Sequence, residues 1–499
     1  MVEEKQETKK KKRGIFRKIA LILKWIGLIL LGILLIAAFV FHVPWKVTTL
    51  LAIVLLACTI LPKPYRKWFW ASGGLVVIVS VIWVFLPDND EGWRPYTFDE
   101  ELAAIEAERA VPDEQNAALI YNQLLQDYKQ SDFEPNLTDP NDYYLTTSGP
   151  WSSADYPQVA QWLENHQGTI AKLTQAREKD KCRFPMNASP ATFSRRIDRN
   201  GAMRRFAYLL VSAANKDIGE GKIDEGLEKY LTTLQIGQHI YQQPTAIDLL
   251  VGIAIERLAS EQLNRFVIEA KPTVEQLQLI SASFKTLKNN FSSDLAGILE
   301  YDRLFTKMFY CMYYEINTKG KTRLTRDPTA VIQAQSPQEM HPPTYWQRKA
   351  VKVGILLARL FIPSTPQKLA GMVDEAFAQY YAMAEPDFNW EKEPVEFNPP
   401  LRLNYRYAVE LVAGLNGQSY YRLYELYLKR LTSYRGSRLL VAIKRYQLEN
   451  GSWPQALDHV KSLVPPEDLI DPLTGQQLQY ENHGERFSLY GERTNIWPK

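Results

Sequence analysis

Gly221-Lys-Ile-Asp-Glu-Gly-Leu-Glu-Lys-Tyr230-Leu-Thr-Thr-Leu234 opens a run, Ile223 to Tyr241, in which apolar residues return at helical spacing behind a glycine-bounded turn. The same pattern recurs on both sides of it. Ala202 to Asn215, Ala246 to Ile268 and Val274 to Leu287 read as further amphipathic helices, joined by short turns at Gly219-Glu-Gly221, Pro244 and Pro272. Short connections between helices make antiparallel neighbours. The expected fold class is therefore mainly α, with a body of helical hairpins.

Toward the N-terminus, Phe98 to Ala110 has helical composition, and Asp113 is placed to cap a second helix whose face carries Ala117, Ile120, Tyr121, Leu124, Leu125 and Tyr128. Ser131 to Pro157 has no periodicity and reads as a long loop. Gln158 to Lys179 is helical, with Gly168 as a weak point. Toward the C-terminus, Ser293 to Glu315 reads as an unusually aromatic helix and Asn317 to Tyr345 as irregular. Trp346 to Phe361 is a basic amphipathic helix, suited to the core or to an anionic membrane surface. Leu369 to Met383 is helical, and Glu385 to Pro400, with four prolines, is a linker or strap. Leu403 to Leu431 and Ser437 to Glu449 are helical, and Gln455 to Lys461 is a short helix. The spacing then changes to alternation: Gln477 to Glu481 and Arg486 to Tyr490 form a hairpin through Asn482-His483-Gly484. This last stretch is expected to be a small α+β unit, with Trp453 fixed against Ile443 or Tyr446 and anchoring the junction.

Residues 15–86 are of another kind. Ile19 to Phe41, Val47 to Leu61 and Trp68 to Leu86 are apolar blocks separated by Pro44 and by Pro62-Lys63-Pro64. A bilayer core of roughly 30 Å takes about 20 apolar residues, which the first and third blocks meet and the short middle block approaches. Trp45, Tyr65, Trp68 and Trp93 flank them where amphipathic rings favour the headgroup region. Basic residues gather at Lys9 to Arg13, Arg17 and Lys18, and again at Lys63, Arg66 and Lys67, whereas the third block exits into Asp88, Asp90 and Glu91. The distribution places the N-terminus inside and, after three spans, the rest outside. The expected organisation is a basic cytoplasmic tail at 1–14, a three-helix membrane anchor at 15–86, a helical soluble domain at 87–400, and a C-terminal helix plus α+β unit at 401–499.

The formal charge of +3 is a sum over unlike parts. Residues 1–86 hold 13 Lys and Arg against 3 Asp and Glu, leaving 46 basic and 53 acidic residues, or −7, beyond them. Such a balance excludes the basic footprint of a nucleic-acid binder. Of the three cysteines, Cys58 lies in the second apolar block; Cys182 and Cys311 stay open as buried thiols or a bridge.

Three resemblances rest on these residues. The helix from Gly221 to Leu234 resembles the second helix of a tetratricopeptide repeat, with Gly226 and Thr233 where that family has Ala. The order Ala442-Ile-x-x-Tyr446, Asn450-Gly451-x-Trp453-Pro454, Leu457, Asp471-Pro472, Gly475, Tyr480 and Phe487-x-Leu489-Tyr490 resembles the globular end of type II secretion pseudopilins. No Gly-Phe-Thr-Leu-Ile-Glu processing motif accompanies it, so the resemblance implies a borrowed fold rather than a pilus subunit. As a whole the chain is similar to uncharacterised envelope proteins of planctomycete-type bacteria, which implies a location and no activity.

No Gly-x-Ser-x-Gly elbow, His-Glu-x-x-His helix or phosphate loop occurs, and no catalytic, cofactor-binding or metal-ligating residue is assigned. His42, His166, His239, His341, His459 and His483 lack ligand spacing and read as surface or core. Asp471 with Thr474 offers too few oxygens for Ca²⁺ and reads as an Asp-Pro turn. Asp302-Arg303, Arg195-Arg196 and Arg204-Arg205 are candidates for lining a cleft. The expected function is a membrane-anchored, outward-facing scaffold that binds envelope proteins on a concave helical surface around residues 202–290. The alternatives are an envelope hydrolase with a site built from loops 131–157 and 317–345, and a secretion-associated component.

Overall fold

The computed structural model describes residues 92–135, 137–139, 141–186, 191–285, 290–325, 365–391 and 417–497. The three apolar blocks and the basic helix at 346–361 lie outside them, and among the described residues no helix is long and apolar enough to cross a membrane. In chain order the elements are β1 (Trp93–Pro95), α1 (Asp99–Glu108), α2 (Ala118–Gln126), α3 (Asn141–Thr146), α4 (Pro157–Asn165), α5 (Gln167–Arg177), α6 (Ala191–Gly219), α7 (Ile223–Tyr241), α8 (Ala246–Glu269), α9 (Val274–Lys285) and α10 (Phe291–Cys311). They continue with β2 (Tyr314–Asn317), β3 (Thr322–Leu324), α11 (Pro366–Tyr381), α12 (Gly417–Asn450), β4 (Gln479–Asn482), β5 (Phe487–Tyr490) and β6 (Asn495–Trp497). The protein is mainly helical with small antiparallel sheets.

Two compact units divide the chain. In the smaller, described at 92–97, 306–325 and 365–377, β1, β2 and β3 form an antiparallel sheet, with Trp93 opposite Asn317 and Tyr314 opposite Leu324. Trp93 lies under the Arg323 guanidinium, 4.0 Å from its ring centre. The aromatic helix ends at Cys311, four residues short of the expected Glu315, because Tyr314-Glu-Ile-Asn317 is taken into the sheet.

In the larger unit α7 spans the expected residues and packs between α6 and α8. The neighbours come unusually close. A Cβ at Gly226 would sit 2.9 Å from the Ala214 carbonyl, and one at Gly252 would sit 2.6 Å from the Tyr241 amide nitrogen. At Gly226, where a tetratricopeptide repeat has Ala, the closeness of α6 leaves no room for a methyl group. α8 starts on a reciprocal cap, in which the Thr245 hydroxyl accepts from the Asp248 amide (3.0 Å) and donates to its carboxylate (2.8 Å).

The expected loop at 131–157 is largely ordered and packed. It contains α3, and Trp151 is buried with its indole donating to the Ser212 carbonyl at 3.1 Å. The Asn215 amide donates to the Thr146 carbonyl at 2.8 Å, strapping the segment to α6. The expected single helix at 158–179 is two, broken at His166 rather than Gly168, where the His166 ring bonds back to the Trp162 carbonyl at 2.8 Å. Cys182 and Cys311 are both free, buried thiols, and burial pushes both up, Cys311 to about 12.

His239 lies wholly inside α7's packed face. The Tyr121 hydroxyl meets its Nδ1 at 2.8 Å, and its Nε2 faces the Lys179 carbonyl at 2.8 Å. A proton on Nε2 satisfies both. Burial pushes the ring down to about 4, against the opposing pull of the Lys179 carbonyl and Asp180. The unfolded imidazole takes up a proton below about pH 6.5, and the folded one not until about 4, so this contribution is complete above 6.5 and lost as pH falls toward 4. The expected loss is about 3 kcal/mol across that window. Denaturant midpoints measured at pH 7, 6 and 5 should fall more steeply for the wild type than for His239→Leu; equal slopes would refute the assignment.

The C-terminal part is one continuous helix, α12, followed by a sheet of three strands rather than two. Residues 403–416 lie outside the described ones, and from Gly417 the two expected helical stretches are joined without interruption through Thr432 to Gly436. The short helix at 455–461 is a single tight turn at Leu457–His459. β4 and β5 pair through the expected hairpin, Asn482 opposite Phe487, and β6 adds to the far side of β5. Trp453 is half-buried and rests on Phe487, ring centres 4.8 Å apart, while Tyr446 stacks on His459 instead.

Candidate functional site

Two adjoining depressions of the larger unit lie along α8, where α12 and β6 close against it. Two features of sequence bring β6 there. Gly436 on α12 leaves the space that the Ile496 side chain fills, its Cγ1 lying 2.7 Å from where a Cβ would be. Asp471 then pins the turn before β6: its carboxylate accepts from the Thr432 hydroxyl (2.8 Å), the Leu473 amide (3.0 Å) and the Glu492 amide (3.0 Å). These donors occupy both carboxylate oxygens of the residue weighed for Ca²⁺, and the Thr474 hydroxyl accepts from the Gln476 amide instead. Among the described residues no group of three or more His, Cys, Asp or Glu is arranged to hold a metal.

One depression, of about 570 Å³, is aromatic and polar: α8 contributes Glu261, Asn264 and Glu269, and Trp453, Phe487 and Trp497 face them. The other, also about 570 Å³, is cationic and aliphatic: Arg204 and Tyr208 from α6, Leu250 and Arg257 from α8, Lys429 from α12 and Arg493 from the β5–β6 turn. Glu261, Asn264, Asn495 and Ile496 line both, so the two adjoin.

Beneath the cationic chamber lies a fully buried ion pair. Arg430 donates to both oxygens of Glu256, at 2.6 and 3.0 Å, and its guanidinium stacks 3.9 Å from the Tyr241 ring centre. Burial alone would lower the Arg430 pKa, but Glu256, Tyr434 and Tyr241 hold it well above the usual range, so the guanidinium stays charged. Tyr241 in turn donates to Asp294 at 2.7 Å. Arg430 also borders a third depression, of about 520 Å³, with Gln235, Gln238 and Asp180.

Of the residue pairs weighed from sequence, Arg204 lines a depression, and it makes no ion pair or hydrogen bond among the described residues. Arg205 pairs with Glu134 at 3.1 Å, and Arg303 with Glu101 and Glu300. The Arg195 and Arg196 side chains, like His42 and His341, lie outside the description. His166 packs against Phe133 and Trp162, and His483 sits 3.5 Å from Glu481 in the hairpin loop. Asn264, Arg430, Glu256 and Trp497 were not singled out by sequence; a polar residue inside a helical pattern is the signal the first three carry, it does not say that they line a depression, and Trp497 in its short strand carries none.

Comparison with known protein families, with curated proteins and with solved structures finds no match to this chain.

Proposed function

We propose that this chain is a membrane-anchored envelope protein whose outward-facing helical body docks an acidic protein partner in the cationic chamber between α6, α8 and α12. The observation that carries the reading is Arg204. It stands without an ionic partner beside the exposed Tyr208 and Leu250, with Arg257, Lys429 and Arg493 around the same depression. Arg257 pairs with Glu261, and Lys429 and Arg493 share Glu425, so the cations outnumber the carboxylates around the depression and Arg204 is the one left for a partner; exposed apolar side chains beside such an excess of positive charge suit an interaction surface. Arg204, Tyr208, Leu250 and Arg257 belong to the 202–290 stretch that the sequence nominated, and α12 and β6 supply the rest of the lining. The anchor and its orientation rest on the apolar blocks and the Lys and Arg asymmetry at 1–86. The helix, Trp453-Pro454 turn and antiparallel strands at the C-terminal end support reading that end as a borrowed pseudopilin-like module, with secretion association as the corollary. The hydrolase reading loses support where Ser131 to Pro157 is spent on packing against α6.

A photo-crosslinking amino acid at Tyr208, expressed in native membranes, should yield a discrete adduct that weakens with salt and disappears in Arg204→Glu. The same group at Leu119, exposed on α2, serves as the control. Equal labelling from both positions, or none from Tyr208, would overturn the reading.

A further inference from the structure

The aromatic chamber has a chemistry of its own, and it is not that of a protein-docking face. Asn264 is 5% exposed, yet its side-chain amide makes no hydrogen bond among the described residues and borders the chamber. A buried amide with two donors and an acceptor left open is a site built for a polar guest. Trp453 and Trp497, both half-buried, line the same space. The Trp453 ring is held in place: its Nε1 donates to the Glu485 carbonyl at 3.1 Å and Lys444 lies 5.4 Å from its ring centre. The Trp497 indole N–H is free of any hydrogen bond among the described residues. The charges at the rim nearly cancel, three carboxylates (Glu261, Glu269, Glu485) against two guanidiniums (Arg265, Arg486), so the chamber makes no demand for an anion or a cation.

Half-buried indoles, an open planar amide and planar carboxylates and guanidiniums with little net charge match one class of ligand. A pyranose with equatorial hydroxyls shows a flat C–H face to an indole and, at its edge, hydroxyl pairs that both donate and accept. We propose that the chamber bounded by Trp453, Trp497 and Asn264 is a binding site for a neutral, β-linked pyranose oligosaccharide. The indoles take the ring faces, and Asn264 with Glu269 takes adjacent hydroxyls. A volume of about 570 Å³ lies within the range of small-molecule sites and leaves room for a short oligosaccharide. The site shares Asn264 with the cationic chamber but uses neither Arg204 nor Tyr208, on which the protein-docking reading rests.

The test uses the full chain, held in a detergent without a sugar headgroup, titrated calorimetrically with cellotetraose and with chitotetraose, and with saturation-transfer NMR on the saccharide. At least one of the two should bind. Trp497→Ala and Asn264→Ala should each weaken that binding tenfold or more at an unchanged thermal midpoint, and Arg204→Glu should leave it unaltered. If Trp497→Ala fails to fold, Asn264→Ala and Trp497→Phe decide. No binding of either saccharide at millimolar concentration, or binding that survives both substitutions, overturns the proposal.

Discussion

Arg430→Ala should cost the larger unit about 3–5 kcal/mol, a third or more of the total stability of an ordinary domain. The side chains of Arg430 and Glu256 are 3% and 1% exposed, so removing the guanidinium leaves a buried carboxylate without its paired cation. The cation's stacking on Tyr241 and Tyr434 is lost with it. Glu256→Ala should cost a similar amount for the mirror reason. Replacing both partners by apolar groups of like volume, Glu256→Leu with Arg430→Met, should recover most of the loss, because no uncompensated charge remains. Amide exchange along α8 and α12 reads the unit directly. A single replacement that costs under about 1 kcal/mol, or a double one as damaging as the singles, would show that the pair does not hold these helices together.

Gly252→Ala should destabilise the same unit by about 1–3 kcal/mol, although Ala is favoured over Gly inside a helix by about 1 kcal/mol. The reversal of sign is the test. At Gly252 the added methyl would lie 2.6 Å from the Tyr241 nitrogen, 2.7 Å from its Cα and 2.8 Å from the Gly237 carbonyl oxygen, all backbone atoms of α7. Nothing there can rotate aside, so α7 and α8 must part, and the buried cluster around Arg430 opens with them. Gly297, inside α10 with nothing within 4 Å of its virtual Cβ, is the control. Gly297→Ala should stabilise by roughly 0.5–1 kcal/mol. Denaturant midpoints that move the same way for both would contradict the close approach of α7 and α8.

α7 was legible to the residue, because Ile223 to Tyr241 carries its own periodicity between a glycine turn and a proline. The β4–β5 hairpin was legible for a similar reason, its alternation and turn being local signals. What the sequence concealed was decided by partners far along the chain. Thr432 to Gly436 reads only as the join between two helical stretches, yet the Thr432 hydroxyl bonds Asp471 and the missing side chain of Gly436 admits Ile496. Tyr314-Glu-Ile-Asn317 continues the aromatic run of α10 and became a strand only because β1 and β3 flank it. β6 has three residues, too few for alternation to register, and it is the element that completes both chambers. The candidate site was half legible: Arg204 was nominated and reaches a chamber, whereas nothing local marks Asn264 or Trp497 as lining one.

Glu256 and Arg430 stand 174 residues apart in the chain. At a synthesis rate of about 5–20 residues per second, Glu256 waits roughly 9–35 seconds for its partner after it is made. In that interval α7 and α8 already have each other, and the α8 face that will meet α12 is bare. A carboxylate in the middle of that face keeps it wetted, as gatekeeper charges do beside aggregation-prone segments. The group that locks the finished unit is, until α12 arrives, the group that keeps the unfinished one from sticking to its neighbours.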